Sequence, residues 1–256
     1  MKKITSQQLK QKRCSQCNKP QPLKNFYKAA RQCDGLRPDC RICQNEKRRQ
    51  HSRIRSAIMR LWFEGKQCVD CGETDVRVLQ NDHIENNKSH WSTGTNIRCL
   101  MQNSTPNIVD ELKKCEIVCI HCHRLRTFKR LDEQKIIKFN QTNIEICDQR
   151  FRNKSYVNEY QRTIGKCKIC GFWDPIHPFL FDFDHRDPQE KIFNVSNMVS
   201  QHRPIYIIME EITKCDLLCA KCHMIKRGIE QKYKTLADFT QEELEKARIY
   251  FETLDV

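Results

Sequence analysis

Apolar residues in this chain come in short, separated patterns. In QNEKRRQHSRIRSAIMRLWFEG, Ile54, Ile58, Leu61 and Trp62 recur at helical spacing and predict an amphipathic helix. VRVLQNDH, ending at His83, and PFLFDFDH, ending at His185, alternate or concentrate apolar residues as short strands do, and each carries an Asp-His pair to its end. Ile108 with Leu112, and Ile208 with Ile212, suit helical segments that open near Pro106 and Pro204, where a missing N–H is harmless. HRLRTFKR and HMIKRGIE read as helix beginnings. Thr240 and Glu243 form a capping box ahead of a helix face made by Leu244, Ala247, Phe251 and Leu254. No run of eighteen apolar residues occurs, so no membrane span is expected, and MKKITSQQLKQKRC lacks the apolar stretch of a secretory signal.

These patterns occur twice. KCEIVCIHCH, ending at His123, returns one hundred residues later as KCDLLCAKCH, ending at His223. Gly65-Lys66 leads into Cys68 as Gly165-Lys166 leads into Cys167, and Asp82-His83 precedes one knuckle as Asp184-His185 precedes the other. Five features kept in order mark an internal duplication. The expected divisions are 1–50, then 51–148 for the first repeat with a leading helix, and 149–256 for the second with a C-terminal helix.

Composition explains how such small pieces could stand. With 38% hydrophobic and 30% charged residues, the chain can fill several small cores but not one large core. Twelve of its seventeen cysteines form CxxC pairs: Cys14/Cys17, Cys40/Cys43, Cys68/Cys71, Cys119/Cys122, Cys167/Cys170 and Cys219/Cys222. Taken consecutively, they predict three four-sulfur structural zinc sites. The other five, Cys33, Cys99, Cys115, Cys147 and Cys215, read as small buried thiols, although Cys115 and Cys215 lie four residues before a knuckle and could contend for the metal. So many metal-binding thiols imply a reducing, intracellular compartment, cytoplasm or nucleus.

The formal charge is +14. Four thiolates and a dication carry about −2 per site, which leaves the chain at about +8 and still suited to a polyanion. Lys47, Arg48, Arg49, Arg53, Arg55 and Arg60 surround the predicted helix stripe, with Glu46 and Glu64 the acids of that stretch. One helix face is therefore expected to meet nucleic-acid phosphates. On a helix, His123 is turned about 100° from Cys122, so it can point away from the zinc and toward Asp82-His83; His223 stands likewise to Asp184-His185.

The order CxxC, Asp-His, CxxCH and basic residues resembles the HNH endonucleases, the ββα-metal or His-Me finger nucleases. The run FDFDHRDPQEKIF … EEITKCDLLCAKCH is especially similar to versions common in phages and mobile elements, and CVDCGE … LQNDHI … DELKKCEIVCIHCHRLRT resembles the same group. The likeness spans roughly residues 66–130 and 165–228. It implies an α+β protein of small zinc-stabilised modules, two ββα-metal repeats, acting on double-stranded DNA inside a host cell. In that resemblance His83 and His185 are the general bases. Asp82 with His123, and Asp184 with His223, would hold a catalytic magnesium or manganese ion. CSQCNKPQPLKNFYKAARQCDGLRPDCRICQNEKRR resembles the treble-clef fingers that accompany such proteins, with Phe26 as its core residue and a grip on nucleic acid as its role.

The chain departs from the family at one position. The usual Asn, nine residues before the last His, is Lys114 or Lys214, and the alternative place between the last cysteines holds His121 or Lys221. Two expectations follow: a metal-dependent DNA endonuclease, or a catalytically inactive zinc protein on decayed HNH folds that binds nucleic acid or supports a nucleoprotein assembly.

Overall fold

A computed structural model describes residues 11–84, 112–139, 149–230 and 234–252, the backbone alone over 131–139 and 250–252. The chain divides into two compact units. One comprises the described residues up to Trp62 together with those from Thr235 onward; the other comprises those from Phe63 to Lys234. Both repeats therefore share one unit, and the C-terminal helix groups with the N-terminal finger rather than with the second repeat. Pro106 and Ile108, Cys99 and Cys147, and the side chains of Phe251 and Leu254, lie outside the described residues. No described helix is long and apolar enough to cross a membrane.

In the first unit, strands β1 (Gln11–Arg13) and β2 (Pro20–Pro22) form one hairpin, and β3 (Phe26–Lys28) pairs with β4 (Leu36–Cys40) in another. Phe26, 2% exposed, packs against Cys14 and Cys40 as the core of a finger too small for any other. Helix α1 (Arg41–Phe63) follows directly and buries Ala57 and Ile58, with Ile54, Leu61 and Trp62 half-buried beside them. The predicted stripe thus faces inward.

Each repeat in the second unit is a strand, a strand and a helix. In the first, β5 (Leu79–His83) pairs antiparallel with β6 (Cys115–Cys119), and α2 (Ile120–Phe139) follows at once. In the second, helix α3 (Gln149–Ile164) precedes β7 (Phe181–His185). Short helices α4 (Val195–Ser200) and α5 (Ile205–Thr213) lie between β7 and β8 (Cys215–Cys219), and α6 (Ala220–Glu230) closes the repeat. The registers agree residue for residue: Leu79 faces Cys119 and His83 faces Cys115, as Phe181 faces Cys219 and His185 faces Cys215. A one-residue slip would exchange the faces on which Asp and His of each pair project.

Pro204 caps α5, whose Ile208 and Ile212, one turn apart, are fully buried against Val157, Val195, Met198 and Val199. Burial of each such side chain contributes about 1.5–3 kcal/mol. That small core fixes α5 beside the end of β7.

The repeats meet reciprocally. Lys221 Nζ donates to Glu73 at 2.7 Å, and the matching His121 ring lies 4.8 Å from Phe172. Arg124 reaches Asp182, and the matching Met224 reaches Gln80. Each surface uses the same positions, as in an isologous dimer, here within one chain.

Candidate metal centres

Three groups of four cysteines have their sulfurs within 4.8 Å of one another: Cys14, Cys17, Cys40, Cys43; Cys68, Cys71, Cys119, Cys122; and Cys167, Cys170, Cys219, Cys222. Four sulfurs about 2.3 Å from a tetrahedral zinc stand about 3.8 Å apart. The sulfur pairs Cys14–Cys43, Cys71–Cys119 and Cys170–Cys219 are 3.9, 3.6 and 3.7 Å apart. All three sites therefore fit zinc.

The turn after each first pair needs a left-handed residue: Gly72 at φ 73°, Gly171 at φ 71° and Asn18 at φ 56°. Their N–H groups donate to the carbonyls of Cys68, Cys167 and Cys14. Asn tolerates this region better than most residues with a side chain, so the finger manages without glycine. Against the upward push of burial, N–H bonds from Cys17, Cys40 and Gln16 draw the Cys14 thiol down to about 6. Cys68 and Cys167 come down to about 7 for the same reason. Hydrogen bonding with Cys40 and burial push Cys43 up to about 12; burial chiefly does the same to Cys219, up to about 11. Zinc replaces those protons.

Cys33 is exposed rather than buried, and Cys115 and Cys215 do not contend for zinc. Each sits at the far end of its strand from Cys119 or Cys219, about 13 Å away at 3.3 Å per residue. Cys215 bonds the Glu211 carbonyl at 3.4 Å.

A second kind of site lies at the other face of each β-hairpin. In the second repeat, Asp184 Oδ1 is 3.5 Å from His223 Nε2, and the ring's Nδ1 is 3.0 Å from Asp182. Alternation along β7 sends Asp182 and Asp184 toward α6. Lys226, one turn beyond His223, pairs with Asp184. A carboxylate oxygen and an imidazole nitrogen at this separation can share a six-coordinate cation whose other ligands are water, once Lys226 swings aside. The donor pair fits magnesium or manganese.

The first repeat assembles the same residues without that room. His123 Nε2 is 3.4 Å from Asp82, and its Nδ1 is 2.7 Å from Gln80 Oε1. Arg130 donates to both Asp82 oxygens and Arg126 approaches at 3.4 Å. Asp82 is 5% exposed and already holds two guanidiniums, so it does not fit a cation as Asp184 does. Arg126 also pairs with Asp70 and Glu116, and Asp70 foremost holds its charge firmly in place.

The two strand-end histidines occupy parallel positions, but only His185 shows its setting in full. His185 Nε2 is 2.7 Å from Glu211 Oε1, both buried. Glu211 also accepts from Lys214 at 2.8 Å and from the N–H groups of Ile192 and Phe193. Burial opposes ionisation, yet these donors hold the carboxyl down at about 2. Glu211 links Lys214 to His185. His83 borders a shallow cleft of about 250 Å³ with Asp82, Ile84, Arg126, Lys129 and Arg130.

A larger cleft, about 390 Å³, has Asp182 and His223 in its wall beside Arg124, Arg150 and Lys154. Arg124 is paired with Asp182 there, which leaves Arg150 and Lys154 as the other cations of its lining.

Of the helix cations expected to meet phosphate, Lys47, Arg48 and Arg49 are exposed and Arg55 half-buried. Arg48 lies over the Tyr27 ring at 5.4 Å, and Arg49 is 3.7 Å from Glu46. Arg53 differs: it donates to both oxygens of Glu243 and to the Asp238 carbonyl. Its charge is engaged within its own unit.

Sequence reasoning passed over Glu211, Asp182, Gln80, Arg126 and Arg130. Only Glu211 left a signal there: it and Glu111 both stand four residues before the first cysteine of the repeated run. Glu111 lies outside the described residues. No family model matches the chain, and no curated protein or solved structure matches it.

Proposed function

We propose that the chain is a metal-dependent nuclease with one working site, in the second repeat, and that the first repeat supports it. The observation that carries this reading is the Asp184–His223 pair, aligned by Asp182 beside a cleft that Arg150 and Lys154 line. In this reading Asp184 and His223 hold a magnesium or manganese ion, and Arg150 and Lys154 draw the phosphodiester backbone into the cleft. Glu211 accepts the Nε2 proton of His185 and fixes that tautomer, leaving Nδ1 to take a proton from the attacking water. Glu211 would thus orient the base in place of the missing Asn. The bound cation would supply Lewis-acid stabilisation of charge on the phosphate oxygens.

A plasmid-nicking assay with magnesium or manganese tests it. His185→Ala should lower the rate by roughly two to four orders of magnitude, whereas His83→Ala should leave it nearly intact. Equal losses from the two substitutions would refute the asymmetry.

The burial of His185 and the Lys226–Asp184 pair favour a second reading, a nucleic-acid-binding scaffold without catalysis. Zinc-loaded protein that binds duplex DNA but never cuts it would establish that reading.

A further inference from the structure

The first repeat contributes a residue to the second repeat's site. Arg124, next to His123 on α2, donates through Nη2 to both oxygens of Asp182, at 3.0 and 2.8 Å. Its Nη1 donates to the Phe179 carbonyl at 2.8 Å, which fixes the guanidinium plane. Asp182 in turn faces Nδ1 of His223, whose Nε2 faces Asp184. Four groups thus stand in line, from a guanidinium of one repeat to the carboxylate of the other.

The reciprocal line is not equivalent. In the first repeat Gln80 takes the place of Asp182, and the residue approaching it from the second repeat is Met224, whose sulfur lies 3.7 Å from Gln80 Nε2. A neutral amide and a thioether stand where the other line has a carboxylate and a guanidinium. Of these two lines, only the one that enters the second repeat carries charge.

We propose that Arg124 and Asp182 are positioning residues for the second repeat's cation site. This inference rests on the function proposed above. Asp182 accepts the Nδ1 proton of His223, which commits the ring to the tautomer whose Nε2 lone pair points at the cation position. Arg124 holds Asp182 in that geometry with Nη2 on the carboxylate while Nη1 anchors on the Phe179 carbonyl, a fixed plane that a lysine lacks. The duplication then has a purpose apart from a second active site: the first repeat completes the second.

Full-length, zinc-loaded protein tests this with two readouts. Manganese binding is followed through the electron paramagnetic resonance of the free ion, and the His223 tautomer through long-range 15N–1H correlation spectra. Wild-type protein should show Nδ1–H at His223. Asp182→Asn should mix the tautomers and weaken manganese binding about 10- to 100-fold, the usual effect of removing such an outer partner. Arg124→Met, which copies the first repeat's arrangement, should weaken it less, and Arg124→Lys should lie between Arg124→Met and wild type. Three zinc ions and an unchanged melting transition establish that each variant is folded; should Arg124→Met fail this check, Arg124→Lys carries the test. Unaltered tautomer and affinity in Asp182→Asn and the folded Arg124 variant overturn the positioning role. Asp184→Asn separates the two claims: if wild-type protein binds no manganese, or binds it equally well with Asp184→Asn, the proposed metal site itself fails.

Discussion

Arg130 donates to both carboxylate oxygens of Asp82, at 2.8 and 2.7 Å, and closes the first repeat's carboxylate to other cations. In the second repeat Lys226 stands in the place of Arg126 and pairs with Asp184, while the place of Arg130 is held by Glu230. A guanidinium holding both oxygens is harder to displace than one ammonium. Replacing Arg130 with Ala and Arg126 with Gln should therefore open a weak second manganese site, raising the stoichiometry from one ion to two. A count still at one in folded, zinc-loaded variant would mean that the arginines are not what excludes the ion.

Removal of zinc should unfold the protein. The finger core is little more than Phe26 and its cysteines, and a structural zinc contributes roughly 10–16 kcal/mol of apparent binding free energy at neutral pH. Elemental analysis should find three zinc ions per chain, and a strong chelator should abolish the helical circular dichroism signal together with them. Folded, reduced protein containing one zinc or none would contradict this.

The basic helix should divide into two kinds of arginine. Each phosphate that a side chain neutralises adds about 0.9 to the salt slope of DNA binding, so Arg48→Ala with Arg49→Ala should flatten it by nearly two. Arg53→Ala should leave the slope unchanged and lower the melting temperature instead, because its partners are Glu243 and Asp238. Anisotropy titrations across a range of potassium chloride distinguish these outcomes. A flattened slope in Arg53→Ala would place that residue on the DNA.

Glu211 should matter both to stability and to activity. Glu211→Gln leaves a buried amide among donors arranged for a carboxylate, at a cost of about 3 kcal/mol or more. Because its folded pKa is depressed to about 2, the carboxylate's contribution is fully present above its ordinary value near 4.5 and is lost as pH falls toward 2. The gap between wild-type and variant urea midpoints, measured in saturating zinc, should be constant from pH 8 to about 5 and narrow below that. A gap that widens with acid would reverse the assigned sign.

The amino-acid sequence by itself determined the four-cysteine groups, the repeat, the strand that carries each Asp-His pair and the helix after each second knuckle, because these depend on spacing along a few residues; the strands Cys115–Cys119 and Cys215–Cys219 were implied only by the resemblance. A CxxC knuckle closes its own turn, and the Thr240–Glu243 capping box forms between residues three apart, as Glu243 N–H to Thr240 Oγ1 at 3.3 Å confirms. His123 and His223 were also legible, since a helix beginning at the second knuckle turns them toward the strand-end aspartates. What each strand end holds was decided only by tertiary structure. Asp82 and Asp184 stand in the same local sequence frame, yet Arg126 and Arg130 close one while Lys226 meets the other. Arg124 reaches Asp182 from 58 positions away in the chain. Arg53 reads like its basic neighbours in sequence, and only the packing of a helix almost two hundred residues later gives it Glu243. Local periodicity fixes which way a side chain leaves its own element; the charge waiting there belongs to another element, and no spacing rule carries that information.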